Sequence, residues 1–284
     1  MNELKPNIYV PNEWRLFIDS SIKSLKAVLL HNGNTYASIP VAHSTTLKEE
    51  YATIKYVLDK IKYNEHNWQV CGDLKKITMM LGQQSGYTKY PCFKCLWDSR
   101  DRENHYKKKD WQLRTSLKVG KNNIIKEPLV DHSKILLPSL HIKLGLMKQF
   151  VKALDKSGQC FTYLIRKFPH KSEAKLKEGI FDGPEIRKMF HDENFTSNMS
   201  KLEKNTWISF RNVAEKFLGN NKSTHYVTLV KNMVKNFQKM GCLMNLKLHF
   251  LDSHLDYFPD NLGGYSEEQD EHFHQDLKEL ERRY

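Results

Sequence analysis

The stretch Trp14-Arg-Leu-Phe-Ile-Asp19 decides the fold, because it is an apolar run of strand-forming residues that ends in an acid. Two similar runs follow closely, at residues 25–30 and 36–42. The turn between them, residues 31–34, contains Asn-Gly, which is a strong hairpin signal. Pro40 in the third run indicates a sheet edge or a strand end. These runs predict three consecutive strands at the start of an α/β domain.

The next segment predicts alternating helices and strands. Thr46-Leu-Lys-Glu49 has the pattern of a capping box, and apolar residues spaced by three and four continue from it to Ile61. The run Trp68-Gln-Val-Cys-Gly-Asp73 predicts a fourth strand, which again ends in an acid. We predict a second helix at residues 74–81 and a fifth strand near residues 90–96.

The order β-β-β-α-β-α-β, with acids ending the first and fourth strands, is the ribonuclease-H-like layout of a mixed sheet. Those two strands are neighbours in that layout, so Asp19 and Asp73 should lie close together. From residue 139 onwards the apolar spacing is helical, which predicts a large α-helical insertion before a last, acidic helix. We therefore predict three parts: the first part of the core at 1–97, a basic loop and helical insertion at 98–257, and a C-terminal acidic helix completing the core at 258–284.

The overall charge favours a polyanionic partner. Lys and Arg number 45 against 33 Asp and Glu, a net charge of +12 with a pI near 9.3. The stretch Lys107–Lys126, with Trp111, is the predicted phosphate-tracking segment, although a solvated loop explains it equally well. No run of apolar residues is long enough for a membrane span, and the N-terminus does not resemble a signal peptide.

The acidic residues predict a two-metal site. Hydrolysis and transfer at phosphodiesters require neutralisation of charge on the attacking and leaving oxygens, and two Mg²⁺ (or Mn²⁺) ions held by carboxylates supply it. Asp19 and Asp73 are the first two candidates, and Glu271 is the third, with Glu268 as the runner-up. The alternative is that the aspartates only end strands or begin turns, and that the glutamates favour a helix N-terminus.

The cysteines predict a structural zinc site. The five cysteines are odd in number and unevenly spaced, which does not suggest a disulfide framework. Cys92 and Cys95 have the spacing that a tetrahedral zinc requires, and His249 and His254 are our candidates for the other two ligands. The alternatives for this second half are two other histidines, His105 and His141. A redox cysteine pair and ordinary helix-surface histidines also remain open.

Several of these segments carry a resemblance to a known family. Cys71-Gly-Asp73 is followed by Cys92-Phe-Lys-Cys95, and the late segment reads Ser266-Glu-Glu-Gln-Asp-Glu271. The chain resembles the eukaryotic DDE/D cut-and-paste transposases, whose ribonuclease-H-like domain contains a helical insertion. In the similar Transib group and V(D)J recombinase catalytic subunit, two histidines complete the zinc site shortly before the catalytic glutamate. Here His249 and His254 precede Glu271 in the same way.

The amino-acid sequence of residues 86–98 also resembles that of transposon-derived proteins repeated in invertebrate genomes. Their late motif usually reads Gly-Glu-Arg-Phe-His-Gln-Asp, whereas this chain has Asp270-Glu-His-Phe-His-Gln-Asp276. Those chains continue past the position of Tyr284, and no separate DNA-end-recognition domain is evident here. A degenerate or domesticated copy and an incomplete gene model are both compatible with these departures.

The resemblance implies a polynucleotidyl transferase of the nucleus that cuts double-stranded DNA at transposon ends and joins it to target DNA. It also implies two Mg²⁺ ions, one structural Zn²⁺ and a homodimer. Two rival functions remain open: a catalytically inactive remnant that binds DNA or protein, and a ribonuclease-H-like nuclease.

Overall fold

A computed structural model describes residues 9–20, 24–33, 35–219, 222–260, 262 and 265. Within these residues the chain is mixed α/β, with one four-stranded sheet and many helices. The chain divides into two units. The first takes in the described residues up to 100, residues 111–138 and Tyr265, and the second takes in residues 101–110 and the described residues of 139–263.

The sheet of the first unit is mixed. Its strands are β1 (Trp14–Ser20), β2 (Leu25–His31), β3 (Ile39–Ser44) and β4 (Gln69–Cys71), in the order β3-β2-β1-β4. β2 is antiparallel to both of its neighbours, and β4 is parallel to β1. The four described strands overlap four of the five predicted runs.

The centre of the sheet is deeply buried. Every residue of β2 is buried, which is typical of a strand covered on both faces. Phe17, Val28, Leu30, Cys71 and Leu136 form one apolar cluster on this sheet. This burial of the central strands fixes their register, because a shift by one residue would turn the apolar side chains to the opposite face.

The helices of the first unit are α1 (Tyr51–Lys60), α2 (Tyr63–His66) and α3 (Leu74–Met80). The predicted capping box at Thr46–Glu49 was wrong, because α1 begins later and Glu50 is its N-cap residue. Ser44 Oγ instead accepts the N–H groups of Thr46 (3.2 Å) and Leu47 (3.1 Å). A local turn therefore uses the N–H of Thr46, which the capping box would have needed.

The predicted fifth strand at residues 90–96 was also wrong. That segment is irregular and has one isolated antiparallel bridge, Cys95 to Leu113. The position beside β4 is instead taken by Ile135, which forms a parallel bridge with Val70. The N–H of Leu136 donates to the carbonyl oxygen of Val70 at 2.8 Å.

The second unit is helical, as the spacing from residue 139 onwards predicts. Its helices are α4 (Ser139–Ala153), α5 (Gln159–Lys167), α6 (Glu173–Lys177), α7 (Gly183–Phe190), α8 (Glu193–Ser197), α9 (Lys201–Lys216), α10 (Tyr226–Lys239) and α11 (Leu246–Ser253). Trp207 is fully buried among the rings of Phe150, Phe190 and Phe195, with ring centroids 4.9–5.1 Å away. None of the described helices is long and apolar enough to cross a membrane.

Candidate metal centre and acidic sheet edge

Asp19 and Asp73 lie at the same edge of the sheet. The parallel pairing of β1 with β4 runs through Phe17 opposite Cys71, a constant offset in residue number. Continued two residues further, the same register places Asp19 opposite Asp73. Adjacent strands are roughly 5 Å apart, and residues opposite each other in parallel strands point to the same face. The backbone therefore presents both carboxylates at the carboxyl ends of neighbouring strands.

Gly72 lets the chain stay close to β1 immediately before Asp73. A Cβ at this position would lie 2.8 Å from the carbonyl oxygen of Ile18, so a larger residue would push this segment away from β1. Gly72 therefore lies against Ile18, one residue beyond the last ladder pair and directly before Asp73.

Asp73 also has a structural role, because it is the N-cap of α3. Its Oδ1 accepts the N–H of Lys76 at 2.7 Å, which satisfies one of the free donors of the first helical turn. This is the alternative that the sequence left open for an acid at a strand end. The cap uses Oδ1, and the carboxylate has a second oxygen with which to bind a cation.

β2 flanks β1 on the side away from β4, and it places a buried lysine opposite Asp19. Lys26 of β2 is its antiparallel partner and is only 4% exposed. A buried ammonium group is stable only beside a counter-charge, so this pairing places positive charge next to the predicted metal ligand. The third predicted acid, Glu271, and its runner-up Glu268 lie outside the described residues.

Cys92 and Cys95 form a tight, buried knuckle. Both side chains are 0% exposed, and the N–H of Lys94 donates to Cys92 Sγ at 3.4 Å. Burial and the neighbouring Cys95 raise the pKa of the Cys92 thiol well above its usual value, while the backbone N–H groups of Lys94 and Cys95 act in the opposite direction. Backbone donors aimed at a sulfur stabilise its thiolate, which is the form that binds a metal.

Arg114 stabilises this knuckle through hydrogen bonds, although no sequence motif indicated such a role. Its Nε donates to the carbonyl oxygens of Cys92 (2.8 Å) and Cys95 (3.3 Å), and its Nη2 donates to those of Tyr90 (2.8 Å) and Asn122 (3.0 Å). Burial lowers the pKa of Arg114, and the nearby sulfurs act against that effect. The spacing of a Cys-x-x-Cys pair carries no signal for a partner that lies 19 residues downstream.

His249 and His254 are both buried, at 0% and 5% exposure. His249 belongs to α11, whose N-cap Asn245 accepts the N–H of Leu248 at 2.9 Å. His254 is the C-cap residue of the same helix. The two rings meet edge to face with centroids 5.1 Å apart, so the end of this helix brings both imidazoles together.

Ligand atoms of Cys92, Cys95, His249 and His254 all lie within 4.8 Å of one another, and the four side chains are buried. Two thiols and two imidazoles at this separation form a cluster that could hold a metal ion. The alternative histidines, His105 and His141, are not members of this cluster in the described part of the chain.

The basic stretch Lys107–Lys126 differs from the prediction in the position of Trp111. Trp111 is only 8% exposed, so its ring is not available to stack on a nucleic-acid base. Lys109 Nζ lies 3.1 Å from Asp252 Oδ1. This ion pair within the second unit partly neutralises the charge of the lysine. The other lysines of this stretch are exposed, and their contact with phosphates stays a prediction.

Comparison with known families finds two matches. Residues 1–130 match a family model described as a domain of unknown function (DUF8703), and residues 139–219 match one described as a domain of unknown function (DUF8704). No curated protein matches the chain significantly. The second match begins at Ser139, which is also the first residue of α4.

Proposed function

We propose that this chain is a transposase-derived catalytic domain that cleaves DNA and transfers strands with Mg²⁺. The observation that carries the proposal is the register of β1 and β4, which brings Asp19 and Asp73 to one sheet edge. Two carboxylates at neighbouring strand ends are suitable ligands for Mg²⁺, which prefers oxygen.

The topology supports a ribonuclease-H-like core. Three antiparallel strands are followed by β4, which pairs in parallel with β1, giving the order β3-β2-β1-β4 that this layout requires. The parallel bridge from Ile135 to Val70 occupies the place of a fifth strand beside β4. The helices after residue 139 then correspond to the predicted insertion.

In this proposal Asp19, Asp73 and Glu271 hold the metal ions. Bound Mg²⁺ would neutralise negative charge on the attacking and leaving oxygens of the phosphodiester. The chain's own contribution is to position the carboxylates: β1 holds Asp19, and the cap of α3 orients Asp73 through Oδ1. Double-stranded DNA as substrate, a homodimer and a nuclear location belong to the same proposal.

We also propose that the cluster of Cys92, Cys95, His249 and His254 binds one structural Zn²⁺. Two sulfurs and two imidazole nitrogens are a complete tetrahedral donor set, so no position is left for a substrate. A buried, four-ligand site of this kind contributes to folding and takes no part in the reaction.

The test is Mg²⁺-dependent nicking of a labelled DNA duplex by the wild-type chain and by Asp19→Asn and Asp73→Asn. Asparagine is as good an N-cap as aspartate, so Asp73→Asn removes the charge and keeps the cap of α3. Each variant should lose at least about a hundredfold in rate, because a lost metal ligand costs several kcal/mol of transition-state stabilisation.

Asp59→Asn, which changes an exposed acid of α1, is the matched control and should cut like the wild type. Glu271→Gln should join the inactive variants, whereas Glu268→Gln should remain active. Loss of activity in Glu268→Gln alone would reassign the third acid.

A second candidate function is a catalytically inactive remnant that binds DNA or protein. The observations that favour it are the use of Asp73 as a helix cap and the buried Lys26 opposite Asp19. Absence of any DNA cleavage by the wild type with Mg²⁺ or Mn²⁺ would select this function. Cleavage without strand transfer would select a ribonuclease-H-like nuclease.

A further inference from the structure

A surface pocket of about 280 Å³ lies in the first unit, away from the cysteines. It is formed by the start of α1, one side of α3 and its following turn, and the segment around Lys126. Its polar lining includes Lys75, Gln83 and Lys126, and its apolar lining includes Met79 and Ile125. None of these residues belongs to the predicted acid or zinc sites.

Gln83 is the most informative residue of this pocket. It is only 5% exposed, and its Nε2 has no acceptor among the described residues. Its backbone is held in place, since its N–H donates to the carbonyl oxygen of Thr78 at 2.9 Å. A buried amide donor without an acceptor costs about 1–3 kcal/mol, so this side chain is suited to a ligand that accepts hydrogen bonds.

The N-terminus of α1 opens into the same pocket. Glu50, Tyr51 and Ala52 line it, and the side chain of the N-cap residue Glu50 makes no capping hydrogen bond. The first N–H groups of a helix have no intrahelical acceptor, and the helix dipole adds positive potential there. The first residues of α1 and Gln83 therefore line the same cavity.

Two lysines supply the positive charge. The backbone N–H of Lys126 donates to the carbonyl oxygen of Gly82 at 3.1 Å, and its Nζ lies 4.6 Å from the centre of the Tyr51 ring. Lys75 Nζ lies 2.7 Å from Glu49 and is largely exposed. Glu50 is the one carboxylate among the residues that line this pocket, and Glu49 already pairs with Lys75. Lys126 has no carboxylate partner among the described residues, so its charge remains available to a ligand.

We propose that this pocket binds one nucleotide unit through its phosphate. The phosphate oxygens would accept from Lys126, Lys75, the Gln83 amide and the first N–H groups of α1. The sugar or base would pack on Met79 and on Ile125, which is 55% exposed. The volume is close to the lower limit for small-ligand pockets and suits a single nucleotide.

The nucleotide could be free or part of a DNA strand, because the chemistry at the pocket is the same. The inference does not require the proposed catalytic function. If that function holds, the pocket would seat a strand near the acids, since Lys75 lies two residues after Asp73.

The experiment measures binding of deoxyadenosine 5′-monophosphate and of a labelled single-stranded oligonucleotide of about 12 nucleotides. Both titrations are done on the full chain without added Mg²⁺, so the result does not depend on cleavage. The variants are Gln83→Leu and Lys126→Gln, and Lys55→Gln, an exposed lysine of α1 outside the pocket, is the matched control.

We expect Gln83→Leu and Lys126→Gln to weaken binding about five- to tenfold, and Lys55→Gln to have no such effect. Lys126→Gln should also reduce the salt dependence of oligonucleotide binding. The slope of the logarithm of the binding constant against the logarithm of salt concentration should fall by about one. Equal losses with both probes indicate a nucleotide in general, and losses with the oligonucleotide alone indicate a strand segment. The proposal is overturned if the wild type binds neither probe, or if both pocket variants bind as the wild type does.

Discussion

Arg114 shows how much a single side chain contributes at the residue scale. Its guanidinium donates to four backbone carbonyls, two of which belong to Cys92 and Cys95. A planar fork of donors suits this arrangement, and a lysine ammonium cannot reproduce it. Arg114 thus fixes the backbone of the segment that carries the two thiols.

Replacement of Arg114 by methionine should destabilise the protein by about 2–3 kcal/mol, because carbonyl groups in the knuckle lose charged donors. Arg114→Lys should recover little of this loss. Urea denaturation measures the change, and Arg100→Met, at an exposed arginine, is the control. Wild-type stability in Arg114→Met would show that the knuckle is ordered without the guanidinium.

Gly82 is a second residue whose identity is dictated by its surroundings. It has a φ of +63°, and a Cβ there would overlap the carbonyl oxygen of Lys126. Its own carbonyl oxygen accepts the N–H groups of Ile125 and Lys126 at 2.8 and 3.1 Å. This close approach holds Lys126 at the nucleotide pocket.

Gly82→Ala should destabilise the first unit by about 3 kcal/mol or more, since the positive φ and the steric overlap act together. Gly86→Ala separates the two effects, because Gly86 has a φ of +87° but nothing within 4 Å of the added Cβ. That control should cost only about 1–2 kcal/mol. Equal losses in the two variants, measured by thermal unfolding, would contradict a steric role for Lys126.

At the scale of elements, α5 and α8 are linked by one carboxylate. Asp192 caps α8 by accepting the N–H of Phe195 at 3.1 Å, and it also accepts the hydroxyl of Tyr163 at 2.8 Å and pairs with Lys167. Burial acts to raise the pKa of Asp192, but these donors outweigh it and hold the pKa below its ordinary value of 3.8.

A lowered carboxyl pKa stabilises the folded state above the unfolded pKa, and this contribution is lost as the pH falls through the folded pKa. Asp192→Asn keeps a capping oxygen and removes the charge, so it should cost about 1 kcal/mol at pH 7. The difference from the wild type should disappear as the pH falls below about 3.8. Glu193→Gln, at an exposed acid of the same helix, should show no such trend in urea unfolding at each pH.

At the scale of the whole molecule, the proposed zinc site predicts that stability depends on metal. Removal of zinc by a chelator should lower the midpoint of thermal unfolding, because the metal binds the folded state selectively. Cys92→Ser and His249→Ala should lose the metal, whereas His105→Ala and His141→Ala should retain about one zinc per chain by elemental analysis. Purified wild-type protein without zinc, and with an unfolding midpoint insensitive to the chelator, would refute the site.

Local patterns in the sequence determined much of this protein. The alternating and apolar runs located four strands, and the spacing from residue 139 located the helical segment, because such patterns reflect burial of neighbouring residues. The acids at strand ends and the Cys-x-x-Cys spacing were likewise readable, since their chemistry is local.

Only the tertiary structure decided the rest, because it depends on contacts between residues far apart in the chain. Pairing with Val70 selected Ile135 instead of residues 90–96 for the place beside β4, although the latter run contains two aromatic residues, Tyr90 and Phe93. The choice of His249 and His254 over two other histidines, the bracing by Arg114 and the buried amide of Gln83 are likewise long-range outcomes. Sequence periodicity reports which residues are buried, but not which distant groups they meet.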